Sequence, residues 1–397
     1  MTIIEPRSRS VDVPGFGPEY APMAALAMTG RPVVSTLGVE EEFLLVDRLT
    51  RAPVARAGPV IDAASPVLGD LVQEEFYRCM VEVCTRPATS AADVRAQLRS
   101  LRAAVADAAR AADCLLVASG TAVVPPAAPV PVTDTPRYRR MARRFDALVD
   151  GRLGVVCGCH IHIGTADRAQ ALFLANHVRA WLPAVQALAV NSPFAGGLDT
   201  GFASWRALEF GRWPTVAPSP LLDPVSYERT AEALVASGTL MDRRMIYWFA
   251  RPSEHQPTIE FRVADTNADL DTTLLVALVL RGLCATLLAH AEEGRPPPDI
   301  SVACLREAHR YAARYGPAGY ALDPFTGEHV PAQAQIAALL RAASPGLRAA
   351  GDEPEVHRLL DALRRKGSGA ARQRAALRRA NRLRDVVDDL AELTTGS

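Results

Sequence analysis

Three consecutive glutamates, Glu40-Glu41-Glu42, sit inside an otherwise apolar run, STLGVEEEFLLVD (Ser35–Asp47). Strands are depleted in glutamate, and neighbouring carboxylates repel unless a positive charge offsets them. The flanking Val39, Phe43, Leu44, Leu45 and Val46 nevertheless predict a strand. Alternation then places Glu40 and Glu42 on one face with Gly38, and Glu41 on the other with Val39 and Phe43. A chain containing this segment must build a sheet with one face that accepts carboxylates. On the triplet alone two readings stay open: two same-face carboxylates holding a hard cation, or an edge strand whose charges meet water.

Three further segments have the same character. In VVCGCHIHIG (Val155–Gly164) the Cys/His cluster offers the four N and S donors of a zinc site. Strand parity argues against that site, because Cys157, Cys159 and Ile161 face one way while Gly158, His160 and His162 face the other. The thiols read as buried small side chains. The two same-face histidines either serve a site or are held by structural hydrogen bonds. TIEFRV (Thr258–Val263) directs Ile259, Phe261 and Val263 to a core and Thr258, Glu260 and Arg262 away from it. A structural ion pair between Glu260 and Arg262 would account for that polar face without any function. Glu82, in MVEVC, is again a single carboxylate framed by valines.

Taken together, apolar strands that offer carboxylates and imidazoles to one face suit an antiparallel sheet carrying a polynuclear Mg²⁺ or Mn²⁺ site. Hard cations take carboxylate oxygens and bridge nucleotide phosphates. Arg262 is then the guanidinium that faces a transferring phosphoryl group. Arg206, in SWR, and Arg251, in FARPS, are either holders of a substrate carboxylate or structural arginines.

Composition removes several alternatives. Basic and acidic residues balance at 44 each, so no global field attracts nucleic acid or an anionic membrane. Lys366 is the only lysine and lacks the preceding glycine of a phosphate-binding Gly-Lys-Ser/Thr loop. Cys114–Val132 runs without a charge, but Pro125, Pro126, Pro129 and Pro131 break it as a membrane span. The first residues lack the apolar core of a secretion signal, and the cysteines form no small-scaffold pattern, so a reducing cytoplasm is expected.

The coarse element reading is α+β in a single domain over 31–397, preceded by a flexible arm over 1–30. It expects a hairpin from Ser35–Asp47 to a short strand before Ala57, and a strand over Gln73–Thr85. A helix capped by Ser90 carries Val94, Leu98, Leu101 and Val105 on one face. Further expectations are a strand at Cys114–Ala118, helix over Arg137–Asp150, one long helix over Ala169–Val190, strands at Arg244–Phe249 and Thr258–Val263, and mostly helix after Leu270. The Gly/Pro-rich stretch Asn191–Pro224 reads as a long ordered loop, with a wall or lid role.

Several motifs, in order, resemble the carboxylate-amine ligases of the glutamate-cysteine ligase type 2 family, within the glutamine synthetase-like superfamily. They are GVEEEF (Gly38–Phe43), VEVCT (Val81–Thr85), CGCHIHIG (Cys157–Gly164), NSPFAGGLDTGFASWR (Asn191–Arg206), TIEFRVAD (Thr258–Asp265), ARYGPAGY (Ala313–Tyr320) and GSGAARQR (Gly367–Arg374). The resemblance implies a curved antiparallel sheet with flanking helices that binds ATP and two or three Mg²⁺ or Mn²⁺ ions. It implies Glu40, Glu42, Glu82, His160 and Glu260 as metal ligands, His162 and Arg262 as nucleotide-phosphate contacts, and Arg262 with Glu260 as catalytic residues. It also implies small-molecule carboxylate and amine substrates, joined through an acyl phosphate, and a homodimer. It offers Gln373 or Arg374 as an active-site or dimer contact. A specialised biosynthetic ligase for a non-standard carboxylate or amine, and a non-catalytic nucleotide-binding relative, are the alternatives.

Overall fold

The computed structural model describes residues 36–149 and 154–396. The expected arm over 1–30 lies outside the described residues. In chain order the strands are β1 (Leu37–Asp47), β2 (Val72–Glu74), β3 (Met80–Cys84), β4 (Cys114–Val117), β5 (Gly158–Gly164), β6 (Phe194–Ala195), β7 (Leu198–Asp199), β8 (Ala250–Pro252), β9 (Thr258–Asp265), β10 (Tyr320–Leu322) and β11 (His329–Pro331). The helices are α1 (Ala57–Leu68), α2 (Ala91–Ala111), α3 (Pro136–Arg144), α4 (Arg168–Val178), α5 (Leu182–Leu188), α6 (Arg206–Phe210) and α7 (Pro224–Ala236), followed by α8 (Leu270–Ala289), α9 (Val302–Tyr315), α10 (Ala332–Ala350), α11 (Glu353–Lys366), α12 (Gly369–Ala380) and α13 (Leu383–Thr395).

One antiparallel sheet dominates, in the order β2-β3-β1-β5-β9-β8, and β4 pairs the far half of β1 on the β5 side. β6–β7 and β10–β11 are separate two-stranded hairpins. β1 is central because its length lets it pair three strands: Leu37–Glu41 with β5, Glu40–Leu44 with β3, and Leu44–Asp47 with β4. One face of the sheet is covered by helices. Leu37, Val39, Cys159, Ile161, Ile163, Ile259 and Phe261 pack with α4, α5, α8, α10 and α11, and Phe43, Val81 and Val83 belong to a second core with α1, α2 and α13.

Helix α8 is apolar around its whole circumference, which marks a core helix. Among the described residues it is the one helix long and apolar enough to cross a membrane, yet it is mostly buried inside the protein. It crosses α10 so closely that a Cβ on Gly346 would strike the Gly282 carbonyl. Helix α2 forms where expected, with the Ser90 hydroxyl accepting the Asp93 N–H at 3.1 Å.

Four expectations are corrected. No second strand follows β1: a single bridge joins Val46 to Pro53, and the chain enters α1 at Ala57. The strand over Gln73–Thr85 is two, β2 and β3, because Tyr77 leaves to bridge Val132 and the Arg78 N–H bonds the Pro131 carbonyl. The long helix over Ala169–Val190 breaks between α4 and α5, where Pro183 starts a new helix rather than continuing the old one. Arg244–Phe249 is not a strand. The Arg244 and Ile246 carbonyls accept from the Arg251 side chain, and sheet pairing begins only at Ala250.

Candidate active site

Sheet register builds the site directly. Residues opposite one another in antiparallel strands project to the same face. Glu42 lies opposite Glu82, Glu40 opposite both Cys84 and His160, His162 opposite Glu260, and Glu260 opposite Arg251. Glu40, Glu42, Glu82, His160, His162 and Glu260 therefore share the face away from the covering helices. Glu41 points the other way, where Arg102 forks onto both its oxygens at 2.9 and 2.6 Å and Thr273 donates at 2.9 Å. Arg102 also donates to the Ala268 and Asn267 carbonyls, so this fully buried pair is satisfied by protein groups. Cys159 shares that helix-covered face, opposite Glu41. Burial pushes the Cys157 and Cys159 thiols well above their usual range, as expected of inert core cysteines.

A register shift between Cys159 and Ile161 shapes the end of the row. Two steps on β5 oppose three on β9, from Phe261 to Ala264, so β9 bulges. The bulge reverses parity after Arg262, and Asp265, opposite Gly158, returns to the acidic face. Asp265 accepts the Asn191 N–H at 2.8 Å, the Ser192 hydroxyl at 2.7 Å and the Ser204 hydroxyl at 2.8 Å. It thereby pins both ends of the Asn191–Arg206 segment to the sheet. Arg206 lies 3.9 Å from Asp265 and fills the space over Gly158, where any Cβ would collide with its guanidinium. The Gly158 N–H is left to donate to Glu42 at 2.6 Å.

Two sets of ligand atoms converge: Glu40, His160 and Glu260, and Glu42, Glu82 and His160, each within 4.8 Å of one another. Donors on opposite sides of a hard divalent ion stand about 4–5 Å apart, so each set has the dimensions of a cation shell. His160 belongs to both sets and His162 to neither. The Nε2 atoms of His160 and His162 are buried without an aligned hydrogen-bond partner, although His162 Nε2 approaches Glu40 at 3.1 Å. Buried imidazole nitrogens are ordinarily bonded, so both Nε2 atoms lack the partner such groups usually have. His162 Nδ1 is oriented by the Thr258 hydroxyl at 2.9 Å.

The electrostatics agree with a cation requirement. Burial raises the Glu82 carboxyl well above its usual range, and Glu40, Glu75 and Glu42 raise it further. Burial also opposes ionisation of Glu40, but the His160 and His162 imidazoles beside it outweigh that and hold Glu40 below the usual range. Glu260 is buried too, and Arg251 and Arg262 reverse that effect to hold it well below. Desolvation and Arg262 together lower His160, whereas Glu40 overcomes desolvation to raise His162. Arg262 pairs with Glu260, as the strand pattern suggested, and its guanidinium lies over the Phe210 and Tyr247 rings. Arg251 donates to Glu260 at 2.9 Å while its Nη1 is bound to two carbonyls, which fixes the Glu260 carboxylate from the β8 side. Gln373 and Arg374 do not reach the cluster. They clamp the 191–206 segment from α12, Gln373 through Asn191 and Arg374 through Asp199 and the Phe202 carbonyl.

Sequence reasoning placed Thr258 on this face but missed Glu75, Asp265 and Tyr247 as parts of it. Burial lifts Glu75 to about 8, with Glu42 adding to the effect. Nothing in the run QEEFY separates it from Glu74, which is exposed on β2.

An antiparallel sheet with one helix-covered face and one face of carboxylates, imidazoles and a guanidinium defines a protein of the α+β class with a glutamine synthetase-like fold. Two solved structures share this fold: a glutamate–cysteine ligase from Francisella tularensis in complex with AMP (TM-score 0.66, 12% identity, covering 91% of this chain and 89% of that one), and a bifunctional glutathione synthetase from Pasteurella multocida (TM-score 0.66, 15% identity, 91% and 52%). Residues 36–389 match the model of glutamate-cysteine ligase family 2, and the chain belongs to that family of ATP-dependent ligases. Among its relatives, a Salinispora arenicola protein provisionally named glutamate–cysteine ligase 2 is 41% identical over 376 residues, covering 92% of this chain and 99% of its own. A Mycobacterium sp. (strain KMS) protein, provisionally named glutamate–cysteine ligase 2-2, is 42% identical over 364 residues, 90% and 98%.

Proposed function

We propose that the protein uses ATP to convert a carboxylate to an acyl phosphate and passes the acyl group to an amine, with the γ-carboxylate of glutamate as donor and cysteine or another amine as acceptor. The observation that carries this reading is the convergence of Glu40, Glu42, Glu82, His160 and Glu260 into two overlapping cation-sized sets beside Arg262. Phosphoryl transfer depends on positioning and charge neutralisation more than on a nucleophilic side chain. These five residues would hold Mg²⁺ or Mn²⁺, which when bound supplies neutralisation of the nucleotide phosphates.

In the first step the carboxylate oxygen attacks the γ-phosphorus, the bond to the bridging oxygen breaks, and ADP leaves. Arg262 presents a fixed guanidinium to the charge that develops, and His162 contacts the nucleotide phosphates. Glu260 holds Arg262 in place through its ion pair. In the second step the amine nitrogen attacks the acyl carbon, and phosphate departs with the C–O electron pair. The proton that the amine sheds leaves with the departing phosphate. Arg206 and Arg251 are assigned to the donor carboxylate. The proposal includes one catalytic domain over 31–397, a homodimer and a cytoplasmic setting.

The acyl phosphate makes a labelling prediction. Glutamate carrying heavy oxygen in its γ-carboxylate should deliver one labelled oxygen to inorganic phosphate during turnover, read by mass spectrometry. Turnover that yields only unlabelled phosphate would exclude the acyl phosphate.

A further inference from the structure

Arg262 is the guanidinium that the proposed reaction sets beside the transferring phosphoryl group, yet hydrogen bonds alone do not orient it. Its Nη1 pairs with Glu260 and lies 3.4 Å from His160 Nδ1. Its Nε is buried without a partner, and its Nη2 makes no hydrogen bond among the described residues. A contact through one nitrogen lacks the geometric specificity of a bidentate one, so the guanidinium could pivot about it. Something else must set the plane.

Two aromatic rings are placed to do so. The guanidinium carbon of Arg262 lies over Phe210 at 5.8 Å and over Tyr247 at 5.5 Å from the ring centroids, within the roughly 6 Å over which a ring face attracts a cation. The two rings also meet each other, 5.5 Å between centroids and inclined at 49°, so they form two sides of a corner. Tyr247 is fixed from behind: its N–H donates to the Thr215 hydroxyl at 2.8 Å, and Trp213 meets its ring edge-on at 6.4 Å. Phe210 comes from α6, four residues after Arg206 and therefore on the same side of that helix. Arg206 lies over the same Phe210 ring at 5.2 Å and donates to the Arg262 carbonyl at 3.4 Å, which holds this side of α6 against β9.

Core packing does not account for Phe210. Tyr247 and Trp213 pack against the core that includes α1, α2 and α13, whereas Phe210 is half-buried and joins none of the hydrophobic cores among the described residues. Its ring faces are given to two guanidiniums and to Tyr247.

We propose that Phe210, with Tyr247 as the second wall, is a positioning residue for phosphoryl transfer. The corner of the two rings fixes the Arg262 guanidinium with Nη1 on Glu260 and leaves Nη2 for the phosphoryl group. This role rests on the ligase reading given above. Phe210 touches no reacting atom, so its effect passes through Arg262 and is felt when charge develops on the transferring group rather than when nucleotide binds.

The test is steady-state ADP release by the full chain with ATP, Mg²⁺, hydroxylamine and a series of amino-acid carboxylates, glutamate first. Phe210→Leu should lower kcat about 10–100-fold, since a misplacement of about 1 Å can cost roughly 100-fold, while KM for ATP stays at the wild-type value. Phe210→Tyr, which restores the ring, should recover most of kcat. In an Arg262→Lys background, which lacks the planar fork, Phe210→Leu should cause no further loss, because two residues that act through one group are not additive. If Phe210→Leu does not fold, Phe210→Met, unbranched and adaptable, makes the same comparison; if Arg262→Lys is too slow to measure, the split between kcat and KM and the recovery with tyrosine decide. With an active wild type, an unchanged kcat in Phe210→Leu, a loss carried by KM for ATP, no recovery with tyrosine, or an additive loss with Arg262→Lys would overturn the role of Phe210 and leave the ligase reading standing. A wild type that releases no ADP in response to any carboxylate would contradict the ligase reading itself, and the role of Phe210 with it.

Discussion

At Glu41 the alternation of a single strand separates a structural carboxylate from the site carboxylates on either side of it. Glu41 is fully buried against Arg102, and removing one partner of such a pair leaves an uncompensated buried charge. Glu41→Gln should therefore destabilise the metal-free protein by about 3–5 kcal/mol, measured by urea unfolding. A loss below about 1 kcal/mol would mean the pair is not buried as described. Glu82→Gln should behave in the opposite sense. Its carboxyl is repelled by Glu40, Glu75 and Glu42, so the metal-free protein should keep or gain stability. Its affinity for Mn²⁺, followed by electron paramagnetic resonance, should fall by at least the roughly 10–100-fold that even outer-shell substitutions cause. Unaltered Mn²⁺ binding would remove Glu82 from the ligand set. Glu40, Glu42, His160 and Glu260 were legible in the sequence because period-two alternation among valines and isoleucines fixes which face each residue takes. Asp265 was not, because the bulge that returns it to the acidic face is a property of strand pairing, and Glu75 was not, because it lies between strands.

The elements were legible in kind more often than in extent. The Ser90 cap and the spacing of Val94, Leu98, Leu101 and Val105 announced α2, and the apolar run after Leu270 announced α8. The break between α4 and α5 follows from Pro183, a local signal inside an otherwise apolar run, whereas the late start of β8 depends on tertiary contacts, since the Arg244 and Ile246 carbonyls bind the Arg251 side chain. The α5–α9 contact makes a prediction about acid stability. His309 on α9 is buried and hydrogen-bonded to Gln186 on α5, and burial pushes its imidazole down to about 3 from 6.5. Between those values the unfolded chain holds a proton that the folded chain does not, so stability is complete above pH 6.5 and falls as the pH drops toward 3. This group contributes up to about 1.4 kcal/mol for each pH unit. In His309→Gln the dependence of unfolding free energy on pH over that window should be shallower by up to one proton. Equal slopes in both proteins would show that His309 titrates normally in the folded state.

Over the whole molecule, the scattering of strands among unequal helices indicated the α+β class, and balanced charge directed attention to a local site rather than a surface field. Which strands would be neighbours was not legible, because the order β2-β3-β1-β5-β9-β8 pairs, at its centre, segments far apart in sequence, for which no local signal exists. Nor was the role of the C-terminal helices, which hold the 191–206 segment in place from α12. The arrangement brings five metal-type ligands and one guanidinium to one face from strands that span more than half the sequence. The proposed ligase activity requires that this face activate a carboxylate with ATP. The most direct measurement is ADP release with Mg²⁺ across a matrix of amino-acid carboxylates and amines, glutamate first, with hydroxylamine present to trap an activated acyl group. Carboxylate-dependent ADP with a matching hydroxamate, both lost in Glu260→Gln, is the predicted result. ADP release that no carboxylate stimulates, with no hydroxamate formed, would contradict it.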